Sequence, residues 1–129
     1  MDFDPLSEET IGLAIKVQRA LGPGLLESAY RTCLAHELRI AGHKVEEEKP
    51  LEIRYERLVI PQAYRLDIVV DGTLILEIKT VEKLLKVHEA QLFTYLHFSE
   101  KNVGLLLNFW SWPLKDGGIK RIVRSHPIQ

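Results

Sequence analysis

With 129 residues, 46% of them hydrophobic and 27% charged, and a net charge of −1, the chain has the size and balance of one globular domain, expected over residues 1–129. That balance excludes a globally basic, avid nonspecific nucleic-acid binder; no apolar run reaches the roughly 20 residues of a membrane helix. Cys33 is alone, which excludes a disulfide framework or a multi-cysteine metal site, and the acidic start "MDFDPLSEET" lacks the basic-then-apolar order of a signal peptide, so a cytoplasmic location is expected.

Charge is uneven nonetheless. "KDGGIKRIVRS" near the end sets four basic residues against one acid, while Glu46, Glu47 and Glu48 are consecutive. In chain order, Ser7 is expected to cap a first helix. Its positions Ile11, Ala14, Ile15, Gln18 and Leu21 keep a helical spacing with one polar lapse, Gln18. "GPG" at 22–24 breaks it. A second helix is expected over 25–40, with Leu26, Ala29, Tyr30, Cys33, Leu34 and Leu38 on one stripe and Gly42 ending it.

Residues 49–57 alternate, Leu51, Ile53 and Tyr55 against Glu52, Arg54 and Glu56, as a half-buried strand does. A hairpin follows over 64–80, then a helix over 82–98 whose Leu84, Leu85, His88, Leu92, Tyr95 and Leu96 face one way. "VGLLLNF" at 103–109 reads as a strand covered on both faces, and "IKRIVRS" as a more exposed last strand. The order is α-α-β-β-β-α-β-β, an α/β sheet with helices on its faces.

The hairpin "YRLDIVVDGTLILEIKT" sets Asp67, Glu77 and Lys79 among aliphatic residues. Loop length decides which of them share a face. A two-residue loop at Asp71-Gly72 is the local habit of Asp-Gly; it would oppose Val70 and Thr73 and send Asp67 away from Glu77 and Lys79. An odd-numbered loop gathers Leu66, Ile68, Val70, Leu74, Leu76 and Ile78 on one side and the charged trio on the other. Hydrophobic burial favours the odd loop.

Two converging carboxylates with a lysine suit a divalent cation, because Mg²⁺ takes one or two carboxylates plus waters and phosphate oxygens. Such an ion acidifies water and steadies charge on a phosphoryl oxygen, and lysine can position a nucleophile. Alone, the pattern more often describes an exposed, salt-bridged strand pair. Cys33 reads as core, and the five histidines show no His-Glu-x-x-His spacing. "LGPGLLES" lacks the Gly-Lys-Ser/Thr end of a phosphate loop. Trp110 and Trp112 flank Ser111 at a strand end; pinning that end to the core or a partner chain is the first expectation, stacking on bases the second.

"GLLESAY", with Gly24, Glu27 and Tyr30, together with "YRLD", "EIK" and "HEAQLFTY", resembles the GxxExxY family of the PD-(D/E)xK nuclease superfamily, over about residues 20–109. The resemblance implies a restriction-endonuclease-like core, a mixed sheet flanked by helices, and Mg²⁺-dependent phosphodiester hydrolysis on DNA, with Mn²⁺ as substitute. It implies Asp67, Glu77 and the Ile78 carbonyl as metal ligands and Lys79 as the site lysine. Glu27 matches the glutamate supplied by the first core helix. Gln91 and Tyr95 match the Q-x-x-x-Y element of the RecB-like branch and, with Tyr30, would position substrate.

Leu66 stands where the superfamily's name has proline. From spacing alone, Glu27 lies beside the buried stripe and wants a cation or a donor, and Arg19, Arg31 or a backbone N–H would serve as well as a metal. Gln91 and Tyr95 also suit satisfied core polar groups. The rival expectation is a catalytically silent interaction or nucleic-acid-binding module of the same fold. A third is activity only as a homodimer or with a partner protein, since a chain this short has little surface to grip a duplex.

Overall fold

A computed structural model describes residues 3–124. Its elements follow the expected order: α1 Pro5–Leu21, α2 Glu27–Ile40, β1 Val45–Tyr55, β2 Leu58–Val70, β3 Leu74–Lys79, α3 Lys86–Ser99, β4 Val103–Asn108 and β5 Ile119–Val123. The five strands form one sheet in the order β1-β2-β3-β4-β5. Only β3 and β4 run parallel, because α3 crosses between them; the other neighbours are antiparallel. Among the described residues no helix is long and apolar enough to cross a membrane.

Helices cover both faces. Ile11, Ala14 and Val17 of α1 and Tyr30, Leu34, Ala35 and Leu38 of α2 bury Ile68, Val70, Leu74, Leu76, Ile78, Leu105 and Leu107. On the other face Leu92, Tyr95 and Leu96 of α3 cover Leu51, Leu66, Val69, Ile75 and Leu106. Leu105 and Leu107 point one way and Leu106 the other, which is why β4 is apolar without alternation. Gly104 is glycine for space: a Cβ there would meet Leu92 at 2.8 Å.

Several local expectations change. Asp4, not Ser7, caps α1, its carboxylate accepting the Ser7 N–H at 3.0 Å and the Ser7 hydroxyl at 2.7 Å. Strand β2 begins at Leu58, well before residue 64. Pro61 hid that segment, since proline weakens a strand reading. The sheet absorbs it in a bulge: Leu51 pairs with Tyr64 and Ile53 with Ile60, and Gln62 takes φ 52°. The outer β1–β2 arm therefore leaves Tyr55, Leu58, Val59 and Ile60 exposed.

The hairpin has the odd loop. Val70 pairs with Leu74, Val69 with Ile75 and Ile68 with Leu76. Asp71 and Gly72 take left-handed φ values of 51° and 66°, and the Thr73 N–H returns to the Val70 carbonyl. Asp-Gly keeps its habitual turn, with Thr73 as the extra residue that sets the register. Leu66 corrects one detail. It packs under α3, opposite to Ile68 and Val70, because alternation stops at Asp67.

Candidate active site

Strands β2 and β3 part just beyond the Ile68–Leu76 pair. There the Asp67 carboxylate turns into the plane of the sheet and accepts the Ile78 N–H at 2.7 Å, replacing a ladder carbonyl. The Glu77 carboxylate accepts the Asp67 N–H at 3.3 Å. On the far side Glu47 pairs with Ile68 and Lys49 with Leu66, so Glu48 lies opposite Asp67, and it takes φ 48°. The strand is bent from both sides at the residue that carries the acid.

Burial dominates the electrostatics. Glu77 is 5% exposed, and its pKa is pushed up to about 8, first by burial and then by the Asp67 charge. The Asp67 carboxyl is raised by burial, against the lowering effect of the Ile78 N–H, and raised further by Glu27. Lys79 lowers both only in part; its Nζ reaches Gln91 Oε1 at 3.5 Å, and it forms no ion pair with either acid among the described residues. The pair is thus short of positive charge.

Glu27 arrives from α2. It is exposed, which corrects the expectation that it lies beside the buried stripe, and it is the first residue of its helix. There a carboxylate is favoured by the unpaired N–H groups of the first turn. Arg31 bonds Glu47 and Glu48 instead of Glu27. Glu27 nonetheless stands near enough to raise both Asp67 and Glu77.

Tyr30, expected to position substrate, points into the core. It is fully buried and stacks on Phe109 with centroids 4.4 Å apart. Its hydroxyl donates to the Gly22 carbonyl and accepts the Leu25 N–H at 3.2 Å. Gly24, at φ 101°, supplies the turn. The Gly24, Glu27, Tyr30 spacing thus has a physical reading: glycine turns the chain, tyrosine anchors the loop from inside, and glutamate is set at the helix start.

On α3, Tyr95 is 5% exposed and Gln91 half-buried. The Tyr95 hydroxyl is pushed up to about 12 by burial and by the Glu77 charge, which places it beside the acid pair, with Gln91 next to it. Tyr64 leans on the Tyr95 ring at 5.4 Å. Sequence reasoning missed Tyr64 as a site neighbour, although it opens the "YRLD" stretch. His88 has a structural part: its Nδ1 accepts the Leu85 N–H at 2.9 Å and caps α3. Trp110 and Trp112 are 49% and 55% exposed, so neither is pinned to the core.

Among the described residues no three His, Cys, Asp or Glu side chains cluster tightly enough to hold a metal ion by themselves. Two oxygen-donor carboxylates short of positive charge still fit a hard divalent cation, which completes its shell with waters and phosphate oxygens and needs no all-protein cage. A family model for the PD-(D/E)XK nuclease superfamily matches residues 4–122. The chain belongs to that superfamily, whose nucleases typically work with divalent metals on nucleic acid. No curated protein and no solved structure matches the chain.

Proposed function

We propose that this chain is a Mg²⁺-dependent nuclease of the GxxExxY, RecB-like kind that hydrolyses DNA phosphodiester bonds, with Mn²⁺ as a substitute and one domain over residues 1–129. The observation that carries the reading is the Asp67–Glu77 pair. Both carboxylates are fixed on backbone N–H groups where two strands part, and both are raised, first by burial and then by neighbouring carboxylate charge.

Asp67, Glu77 and the Ile78 carbonyl would hold the ion, with Glu27 holding a water or a second ion from the helix start. When bound, the cation supplies a more acidic water and neutralises phosphoryl oxygens. Lys79 orients the attacking water or offsets negative charge developing on the phosphate. Gln91 holds the Lys79 ammonium, and Tyr95 is a buried hydroxyl donor beside the acids. Tyr30 acts at one remove, by fixing the loop before Glu27.

The test is cleavage of single-stranded, duplex and branched DNA with Mg²⁺. Glu77→Ala and Lys79→Ala are each expected to lose at least about 100-fold in rate while their circular dichroism stays unchanged. Unchanged cleavage in either rejects the assignment. The net charge of −1 favours a second reading, a nucleic-acid-binding or interaction module without turnover; a wild type that binds DNA and never cuts it would establish that instead.

A further inference from the structure

The two tryptophans of the chain, Trp110 and Trp112, both lie in the loop between β4 and β5, and nothing in the acid site uses them. Two fully buried amides hold that loop in shape. Asn108 donates to the Val81 carbonyl at 2.7 Å and the Ser111 hydroxyl at 3.3 Å, and accepts the N–H groups of Val81 and Trp110. Gln18 of α1 donates to the carbonyls of Phe109 and Ser111 at 3.0 and 2.6 Å, and accepts the Leu114 N–H at 2.8 Å. Leu114, 1% exposed, plugs the loop into the core. A loop tied this firmly cannot fold its indoles inward, and both stay about half in water.

Placement and charge say what would cover them. Asn108 pairs with Lys79 in the parallel ladder, and the Phe109 N–H donates to the Lys79 carbonyl at 2.9 Å. The loop therefore starts beside the end of the strand that carries Glu77 and Lys79. Between it and α1 runs a groove of about 500 Å³ walled by Ile15, Arg19, Trp112, Pro113 and Lys115. Arg19 and Lys115 form no ion pair among the described residues, and no acid lines the groove. An indole face beside two free cations on a rigid support, with the second exposed indole two residues earlier in the same loop, suits bases and phosphates of an unpaired strand.

We propose that the 109–118 loop and Arg19 form a binding surface for single-stranded nucleic acid running away from the acid site. Bases stack on Trp110 and Trp112, and phosphates meet Arg19 and Lys115. This rests on the nuclease reading and adds a strand preference to it.

Intrinsic fluorescence tests it directly, because both indoles report from this loop. Oligothymidylate is titrated into the full chain with EDTA present, so that no cleavage intervenes, against a blunt duplex of equal length. The expected result is saturable quenching by the single strand and weaker binding of the duplex. Anisotropy of a labelled strand should show Trp112→Ala binding roughly tenfold more weakly, and Trp112→Phe recovering most of that loss. Arg19→Ala and Lys115→Ala should each reduce the slope of log affinity against log salt by about 0.7. Should Trp112→Ala not fold, the Phe variant and the two exposed cations decide the question. A strand that binds without quenching, or binds equally well to the variants, overturns the proposal. So does a wild type that binds no oligonucleotide, which would leave the indoles to a protein partner. Cleavage without quenching refutes this surface alone; quenching without cleavage in Mg²⁺ refutes the nuclease reading alone.

Discussion

Asp67 and Glu77 each tie down the strand that carries the other: the Asp67 carboxylate takes the N–H of Ile78, and the Glu77 carboxylate takes the N–H of Asp67. Side chains thus replace the ladder where β2 and β3 separate. The acids are held at fixed positions by bonds that leave their net charge unbalanced.

That imbalance has a sign in stability. Glu77 titrates at about 8 in the fold against an ordinary 4.5, so the fold favours its protonated form. Ionisation then costs stability as pH rises past 4.5, and the cost is complete above about 8. Glu77→Gln keeps an acceptor for the Asp67 N–H and removes the charge. In EDTA at about pH 9 it should melt higher than wild type, on the order of 5 °C, with the gap closing near pH 5. Equal melting temperatures at both values would mean that the buried charge is already compensated.

Tyr30→Phe separates anchoring from chemistry. The stack on Phe109 survives, while the Gly22 carbonyl and Leu25 N–H lose their shared hydroxyl. Stability should fall by about 1–2 kcal/mol in urea unfolding. Cleavage should fall through a loosened Glu27 loop, while the affinity for substrate holds. A substrate-contacting tyrosine would show the opposite split, with KM rising.

A second titrating group lies far from the acids. His43 bridges α1 to the β2–β3 turn, Nε2 to Glu9 at 2.6 Å and Nδ1 to Asp71 at 2.7 Å. Hydrogen bonds donated to Asp71 and then to Glu9 hold its pKa above 6.5, and His43 with the Lys44 N–H holds Asp71 below 3.8. The His43 contribution is therefore complete below pH 6.5 and is lost as pH rises through its folded pKa; the Asp71 contribution is lost in acid. For this partly exposed clamp, His43→Gln should cost about 1 kcal/mol near pH 5.5 and little near pH 9. A larger loss at the alkaline value would reverse the assigned sign.

Much of this was legible in the sequence, and the exceptions have physical causes. Element order followed from periodicity, and the odd hairpin loop from counting aliphatic residues on each face, because a slip of one would have put Ile68 beside Glu77 and Lys79 and on the face opposite to Leu76 and Ile78. The bend at Asp67 was not legible, since alternation describes only regular strands; Leu66 was misplaced for that reason. Pro61 masked half of β2. Gln18, a mere lapse in an apolar stripe, holds three backbone groups more than 90 residues away, and no local pattern announces such a contact. Glu27 and Tyr30 share one short motif, but only the fold separates the exposed acid from its buried anchor.

Calorimetric titration of Mn²⁺ and Mg²⁺ in the presence of a phosphodiester dinucleotide tests most directly whether the acid pair holds a cation. Wild type should bind with a saturable heat, and Asp67→Asn should lose at least about tenfold in affinity with an unchanged circular dichroism spectrum. Binding of equal strength in Asp67→Asn, or no binding in either protein at millimolar cation, would contradict a cation site at these acids.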